Sequence, residues 1–291
     1  MECIGRYVRD LLWTVNSPAL VRIPFAVESE QPPVDVEETL HASQIDAVHL
    51  AHVIHRPDEY RVGRYFERLV VYWVQFIRAC EIVAHGLPIR EGKRTVGEID
   101  LVFRDELGHL THWEIAVKFY LQVNTGQPPA IDYVGPNAND TLARKTTRLR
   151  DHQLPLSRQV FPEVVTRHAF VKGRIFYHWS SDCPESATNL LSPAHLVGKW
   201  LRANEVEEFL SENPLNYRVL RKPFWLAEEH QLCSEGSSVN ASEMEATLRE
   251  HFSRGGRPIL LSGFPASSDT VGSVPIDECV RIFVVPDDWP S

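Results

Sequence analysis

The chain has 291 residues, of which 43 % are hydrophobic and 24 % charged. That is one large globular domain or two ordinary ones, and it excludes a mainly disordered or fibrous chain. The net charge is −9, so there is no general basic coat, and any nucleic-acid contact must come from a local patch.

Residues 3–15 predict a short amphipathic helix that ends at Ser17-Pro18. Arg6, Arg9 and Asp10 interrupt its apolar stretch, which argues against a signal peptide. No apolar run reaches the roughly 20 residues that span a bilayer. The stretch VESEQPPVDVEE (27–38) has five acids, no base and two adjacent prolines, and predicts an exposed loop. A helix is expected over 39–54, then a long, largely buried one over 58–78 with Pro57 in its first turn. Strands are expected at 81–87, 95–104 and 110–121. GPNAND (135–140) is a loop with a helix cap at Asn139 or Asp140, and the helix that follows should stop near Pro155. A strand over 168–179 closes this block. Beyond SSDCPESATN (180–189) come a helix opening at Ser192-Pro193, a strand YRVLRKPFWLA, a helix near 241–252, and strands RPILLSG and CVRIFVVP. The expected organisation is an N-terminal helical segment (1–56), a central core (57–180) and a C-terminal α/β region (181–291). The class is α/β with a mixed sheet. Five cysteines, odd in number and far apart, predict neither a disulfide framework nor a zinc site. The expected location is the cytoplasm, with no membrane partner.

The segment TVGEIDLVFRDELGHLTHWEIAVKFYL has the pattern of a hairpin. On its second strand Trp113, Ile115, Val117 and Phe119 share one face, and His112, Glu114, Ala116 and Lys118 the other. On its first strand Ile99, Leu101 and Phe103 oppose Glu98, Asp100 and Arg104, with Val96 and Val102. A three-residue loop, Glu106-Leu107-Gly108, places glycine where the backbone needs positive φ. Asp105 then pairs with His109, paired numbers sum to 214, and Asp100 falls opposite Glu114. Glu98 falls opposite Ala116, with Lys118 one step further. Opposed acids on a sheet repel. A hard divalent cation, Mg²⁺ or Mn²⁺, would relieve this, with Asp100 and Glu114 as ligands and Glu98 as a third or outer acid. Lys118 can position a water or stabilise charge on a transferring phosphate. Segment 140–174 has eight Arg or Lys against three acids, including Arg144, Lys145, Arg148 and a nearby His152. Lys145, Arg148 and His152 share a helix face that can contact phosphates. Glu67 is an acid on an otherwise apolar helix stripe; an ion pair is its first expectation, and an accessory place in the site its second. His112 is a face residue and an accessory candidate. His49, His52 and His55 lack a carboxylate to complete a site, and GLPIREGKR lacks the spacing of a phosphate loop.

Asp100, Glu114 and Lys118 within helix, three strands, helix, strand resemble the PD-(D/E)XK nuclease superfamily, which has a restriction-endonuclease-like fold. GRYFERL, VGEIDLVFRD, HWEIAVKFYL, GPNANDTLARK and HQLPLS, with WLAE and RIFVVPDDWP, resemble a bacterial domain-of-unknown-function family placed in that superfamily. The resemblance implies a metal-dependent nuclease. The usual spacing is Glu-x-Lys, whereas here Ala116 takes that place and Lys118 stands two residues on, roughly 6–7 Å along the strand. An inactive nucleic-acid-binding module is therefore the alternative, and a protein-interaction role for the acidic C-terminal part is a third.

Overall fold

The computed structural model describes residues 2–22, 39–57, 60–124, 131–181, 189–231, 238–266 and 276–290. The acidic stretch 27–38, and most of 180–189, lie outside them. In chain order the elements are α1 (Glu2–Asn16), α2 (Ala47–Ile54), α3 (Val62–Tyr72), β1 (Glu81–Glu91), β2 (Arg94–Arg104), β3 (Leu110–Asn124) and β4 (Ile131–Val134). Next come α4 (Leu142–Arg148), α5 (Leu154–Val160), β5 (Thr166–His178), β6 (Leu196–Arg202), α6 (Val206–Glu212), β7 (Asn216–Val219) and β8 (His230–Gln231). The last are β9 (Val239–Asn240), α7 (Ala241–Ser253), β10 (Ile259–Phe264), β11 (Ile276–Asp277) and β12 (Val280–Val285). Helices flank a mixed sheet, as the α/β expectation required. Among the described residues no helix is long and apolar enough to cross a membrane.

Several boundaries differ from those expected, each for a local reason. Helix α2 begins only at Ala47, because the Asp46 carboxylate accepts from Val48 N and His49 N and so caps it there. Helix α3 begins at Val62 and runs into a π-turn, Trp73–Ile77, closed by Arg78 N donating to Trp73 O at 2.9 Å. Pro155 does not stop the helix after GPNAND. A second π-turn, Leu149–Gln153, joins α4 to α5, and Leu154 N bonds back to Leu149 O. Pro155 then falls in the first turn of α5, where its missing N–H costs little. No helix opens at Ser192-Pro193. Those residues start a turn, with His195 N donating to Ser192 O, and the chain enters strand β6. The strand expected over YRVLRKPFWLA is only four residues long, and beyond it the carbonyls of Leu220 and of 225–227 accept from the side chains of Trp225 and Arg281. His49 and His55 bond the hydroxyls of Tyr72 and Tyr7, which gives them structural roles. Cys80 and Cys279 are free thiols.

The chain divides into two compact units. The first comprises Met1–Lys118, Ala143–Gly173 and Thr188–His195. In it β1 pairs antiparallel with β2, and β2 with β3. Trp113 on β3 stacks on Phe170 of β5 with ring centroids 5.1 Å apart and an interplanar angle of 2°. Phe103 meets Trp113 edge-on at 5.1 Å, and Trp73 from the π-turn lies 5.8 Å away. These rings form the apolar layer expected on the hairpin. Each buried ring contributes about 2–3 kcal/mol of transfer free energy. The opposite face of β3 is also buried, because α4 and α5 cover it.

The second unit comprises Phe119–Leu142, Arg174–Ala187 and Leu196–Ser291. Strands β5, β6 and β12 run parallel, and β10, β7 and β9 continue antiparallel. Helices α6 and α7 cover a core that includes Phe209, Leu210, Tyr217, Met244, Leu248 and Ile282.

Gly173 has φ +145, and a Cβ there would overlap the Lys118 carbonyl oxygen. Gly173→Ala is therefore expected to push β5 from β3 at Lys118 and to lower unfolding free energy by about 3 kcal/mol or more. Denaturant melts measure this, and an unchanged midpoint would show that the two backbones do not press together here.

Candidate active site

The hairpin loop is built as its residues predict. Gly108 has φ +81, and Asp105 N donates to His109 O at 2.9 Å. The Asp105 carboxylate also accepts from Leu107 N and His109 N, which closes the turn. Strand pairs are then Arg104 with Leu110, Phe103 with Thr111, Val102 with His112 and Leu101 with Trp113, each summing to 214. The ladder ends one step before Asp100 and Glu114. There the Asp100 side chain replaces the backbone, with Oδ2 accepting from Ile115 N at 2.8 Å.

The strand is not regular through this point. Ile99 and Val102, three residues apart, pack in one cluster with Leu110, Leu156 and Val164, so the strict alternation of β2 breaks around Asp100. Glu98 consequently does not follow Asp100 into the site: it is exposed, and its Oε1 lies beside Gly86. Among the described residues no group of three or more His, Cys, Asp or Glu stands close enough to hold a metal ion.

Glu114 is fully buried. Its Oε1 lies 3.0 Å from His112 Nε2, and its Oε2 accepts from Gln153 Nε2 at 2.5 Å. Lys145 Nζ donates to Gln153 Oε1 at 2.9 Å, so Gln153 links a helix lysine to the strand acid. Burial and the Glu114 charge push the Asp100 carboxyl up to about 7. Burial likewise pushes Glu114 up to about 7, against the pull of Lys145. Two acids this close in a dry site resist ionising together. Burial and the neighbouring Lys118 pull the Lys145 ammonium below its ordinary value, while Glu114 and Asp100 act in the opposite sense. Burial holds His112 near 4, so its ring is neutral at pH 7.

The remaining candidates are placed as follows. Lys118 is half-buried and within electrostatic reach of Lys145. Glu67 is engaged by His85, Oε1 to Nε2 at 2.7 Å, and its charge also acts on Asp100. Arg144, Arg148 and His152 are exposed, with Arg148 close enough to stabilise ionised Glu114 and His152 near Gly97. Two of the eight cations counted in 140–174 are not surface groups. Lys172 is buried, donating to Val15 O and Ser17 O, and Arg174 is buried against Glu228 at 2.6 Å. Both sit on a covered strand, which a charge count along the chain does not register.

Residue type alone does not mark Gln153 as part of the site. It stands eight positions after Lys145, which in a regular helix is rotated about 80° away. The π-turn inserts one extra residue and brings it back onto the Lys145 side.

A family model described as a domain of unknown function, DUF1853, matches residues 9–285. The chain belongs to the DUF1853 family. No curated protein and no solved structure matches it at a significant level. The match spans nearly the whole DUF1853 chain, so the hairpin, the α4–α5 helix and the second unit all fall within one family unit.

As a donor set, Asp100 and Glu114 offer hard carboxylate oxygens that are costly to ionise without a cation. That suits Mg²⁺ or Mn²⁺, which take one or two carboxylates and keep several waters. It does not suit zinc, which prefers nitrogen and sulfur.

Proposed function

We propose that this protein is a divalent-metal-dependent nuclease, hydrolysing phosphodiester bonds in nucleic acid on a restriction-endonuclease-like core. The observation that carries the reading is the convergence of Asp100 and Glu114 on two adjacent strands with Lys118 and Lys145 beside them. Apart from the short β4 between β3 and α4, the order α3, β1, β2, β3, α4–α5, β5 is the order that such a core requires. Asp100 and Glu114 would hold Mg²⁺ or Mn²⁺. The ion would polarise a phosphoryl oxygen and lower the pKa of a bound water. Lys118 and Lys145 are the cations placed to offset charge developing on the phosphate. Gln153 fixes the orientation of Glu114, and His112 fills its other side with a neutral ring.

The test is the full-length protein with Mg²⁺ or Mn²⁺ and labelled DNA and RNA, single- and double-stranded. Metal-dependent cleavage, absent in Asp100→Ala, supports the reading. No cleavage and no metal binding under any condition removes it. A second reading is nucleic-acid binding without turnover, favoured by the full burial of Glu114 and the displaced Lys118. Binding without cleavage would select it.

Arg144 and Arg148 are exposed on the helix that covers the site. Binding is expected to weaken as salt rises, and Arg144→Ala with Arg148→Ala should reduce the slope of log K against log salt by about 1–2. An unchanged slope in filter-binding or anisotropy titrations would take the helix out of the interface.

A further inference from the structure

We infer that the β1–β2 hairpin is a phosphate-gripping arm, and that the exposed cations at its tip, Arg90, Lys93 and Arg94, contact the nucleic-acid backbone within about six base pairs of the Asp100–Glu114 pair. This rests on the nuclease reading and adds a second contact surface to it.

Strand β2 pairs with β3 only over Leu101–Arg104, yet it pairs with β1 along its whole length. The backbone of residues 94–99 is thus paired with β1 alone and forms a two-stranded ribbon. Such ribbons are marginal in water without support. Here Ile89 and Ile99 pack with Leu156 of α5, and Gly97 leaves room for the Leu156 side chain. The ribbon is anchored on the same helix that covers Glu114.

Its tip is a two-residue turn with Gly92 at φ +61. Between 90 and 94 there are three cations and one acid, Glu91. All three cations are exposed. Arg94 is six residues from Asp100, at most about 20 Å of strand. Duplex DNA presents a phosphate about every 3.4 Å on each strand, so the tip and the acid pair fit one bound segment. Charges on an edge strand can instead serve to prevent pairing with other sheets. That role predicts self-association when they are removed, and no change in nucleic-acid binding.

The experiment is a salt titration of binding to a labelled 30-base-pair duplex and to a single strand of the same length, with Ca²⁺ to prevent turnover. Three full-length proteins are compared: wild type, Arg90→Ala/Lys93→Ala/Arg94→Ala, and a control triple, Arg221→Ala/Arg254→Ala/Arg257→Ala, on exposed cations of the second unit. The arm variant should bind about 10- to 100-fold more weakly at 0.15 M salt, with a slope reduced by about 2–3, while the control keeps the wild-type slope. Melting temperatures should stay close to wild type, because all three arm positions are exposed. An arm variant with the wild-type slope, or an equal fall in both triples, overturns the arm and leaves the nuclease reading standing. A wild-type protein that binds neither nucleic acid overturns both.

Discussion

Asp100→Asn is expected to abolish metal-dependent cleavage, by about 10³-fold or more, while making the metal-free protein more stable at neutral pH. The substitution removes one strong metal ligand and one charge but keeps an oxygen that can accept from Ile115 N. The sign of the stability change follows from the raised carboxyl. Asp100 titrates near 7 in the folded chain, against 3.8 ordinarily. Between about pH 4 and pH 7 the folded state holds a proton that the unfolded state has lost, so wild-type stability falls as pH rises through that window. The variant lacks this contribution. Its advantage should be near zero at pH 4 and about 1–3 kcal/mol at pH 8. Added Mn²⁺ should raise the melting temperature of wild type only, because only wild type gains binding energy in the folded state. Equal Mn²⁺ affinity in both proteins, measured calorimetrically, would remove the metal site and the nuclease reading with it.

Arg281→Leu is expected to be the most damaging substitution in the second unit, at about 3–5 kcal/mol. Arg281 is 2 % exposed and sits on β12. Its Nη1 donates to Trp225 O and Leu226 O at 2.9 and 3.0 Å, and its Nη2 to Ala227 O at 2.8 Å. Its Nε donates to Glu278 Oε1 at 2.7 Å. One guanidinium therefore supplies the donors that a neighbouring strand would otherwise give to 225–227. Leucine would leave three buried carbonyls and the Glu278 carboxylate without it. Adding Glu278→Leu should recover part of the loss, since the stranded charge goes, but not the carbonyl bonds. Urea denaturation of both variants measures this. A loss below about 1 kcal/mol for Arg281→Leu would show that water replaces the network.

How far the candidate site can be read from residues alone depends on the range of the interactions that build it. The hairpin is local. The turn from Asp105 to His109 is five residues long, and it fixes the register as far as Leu101 and Trp113, beyond which the Asp100 side chain reaches Ile115 N beside Glu114. The Trp113 face is equally legible, because an apolar stripe of period two has one place to go. Gln153 is not legible, because a π-turn at Leu149–Gln153 changes the helix phase, and the proline that accompanies it reads as a stop. Glu98 is misread for a related reason: the alternation of β2 breaks around Asp100, where a side chain takes over a backbone bond. Lys172 and Arg174 look like surface charge until β5 is placed as a covered strand. Strand β6 looks like a helix start because its turn, Ser192-Pro193, is also a helix-opening pair.

Short-range chemistry thus settles the α/β class, the turn and the register of the hairpin as far as Leu101 and Trp113. Long-range packing settles which face of β3 is covered, which polar groups reach Glu114, and which cations remain on the surface. The division has a physical cause. A turn is stabilised by bonds among its own few residues, whereas the surroundings of Glu114 come from a helix some forty residues later, through contacts that neither segment specifies until both are packed.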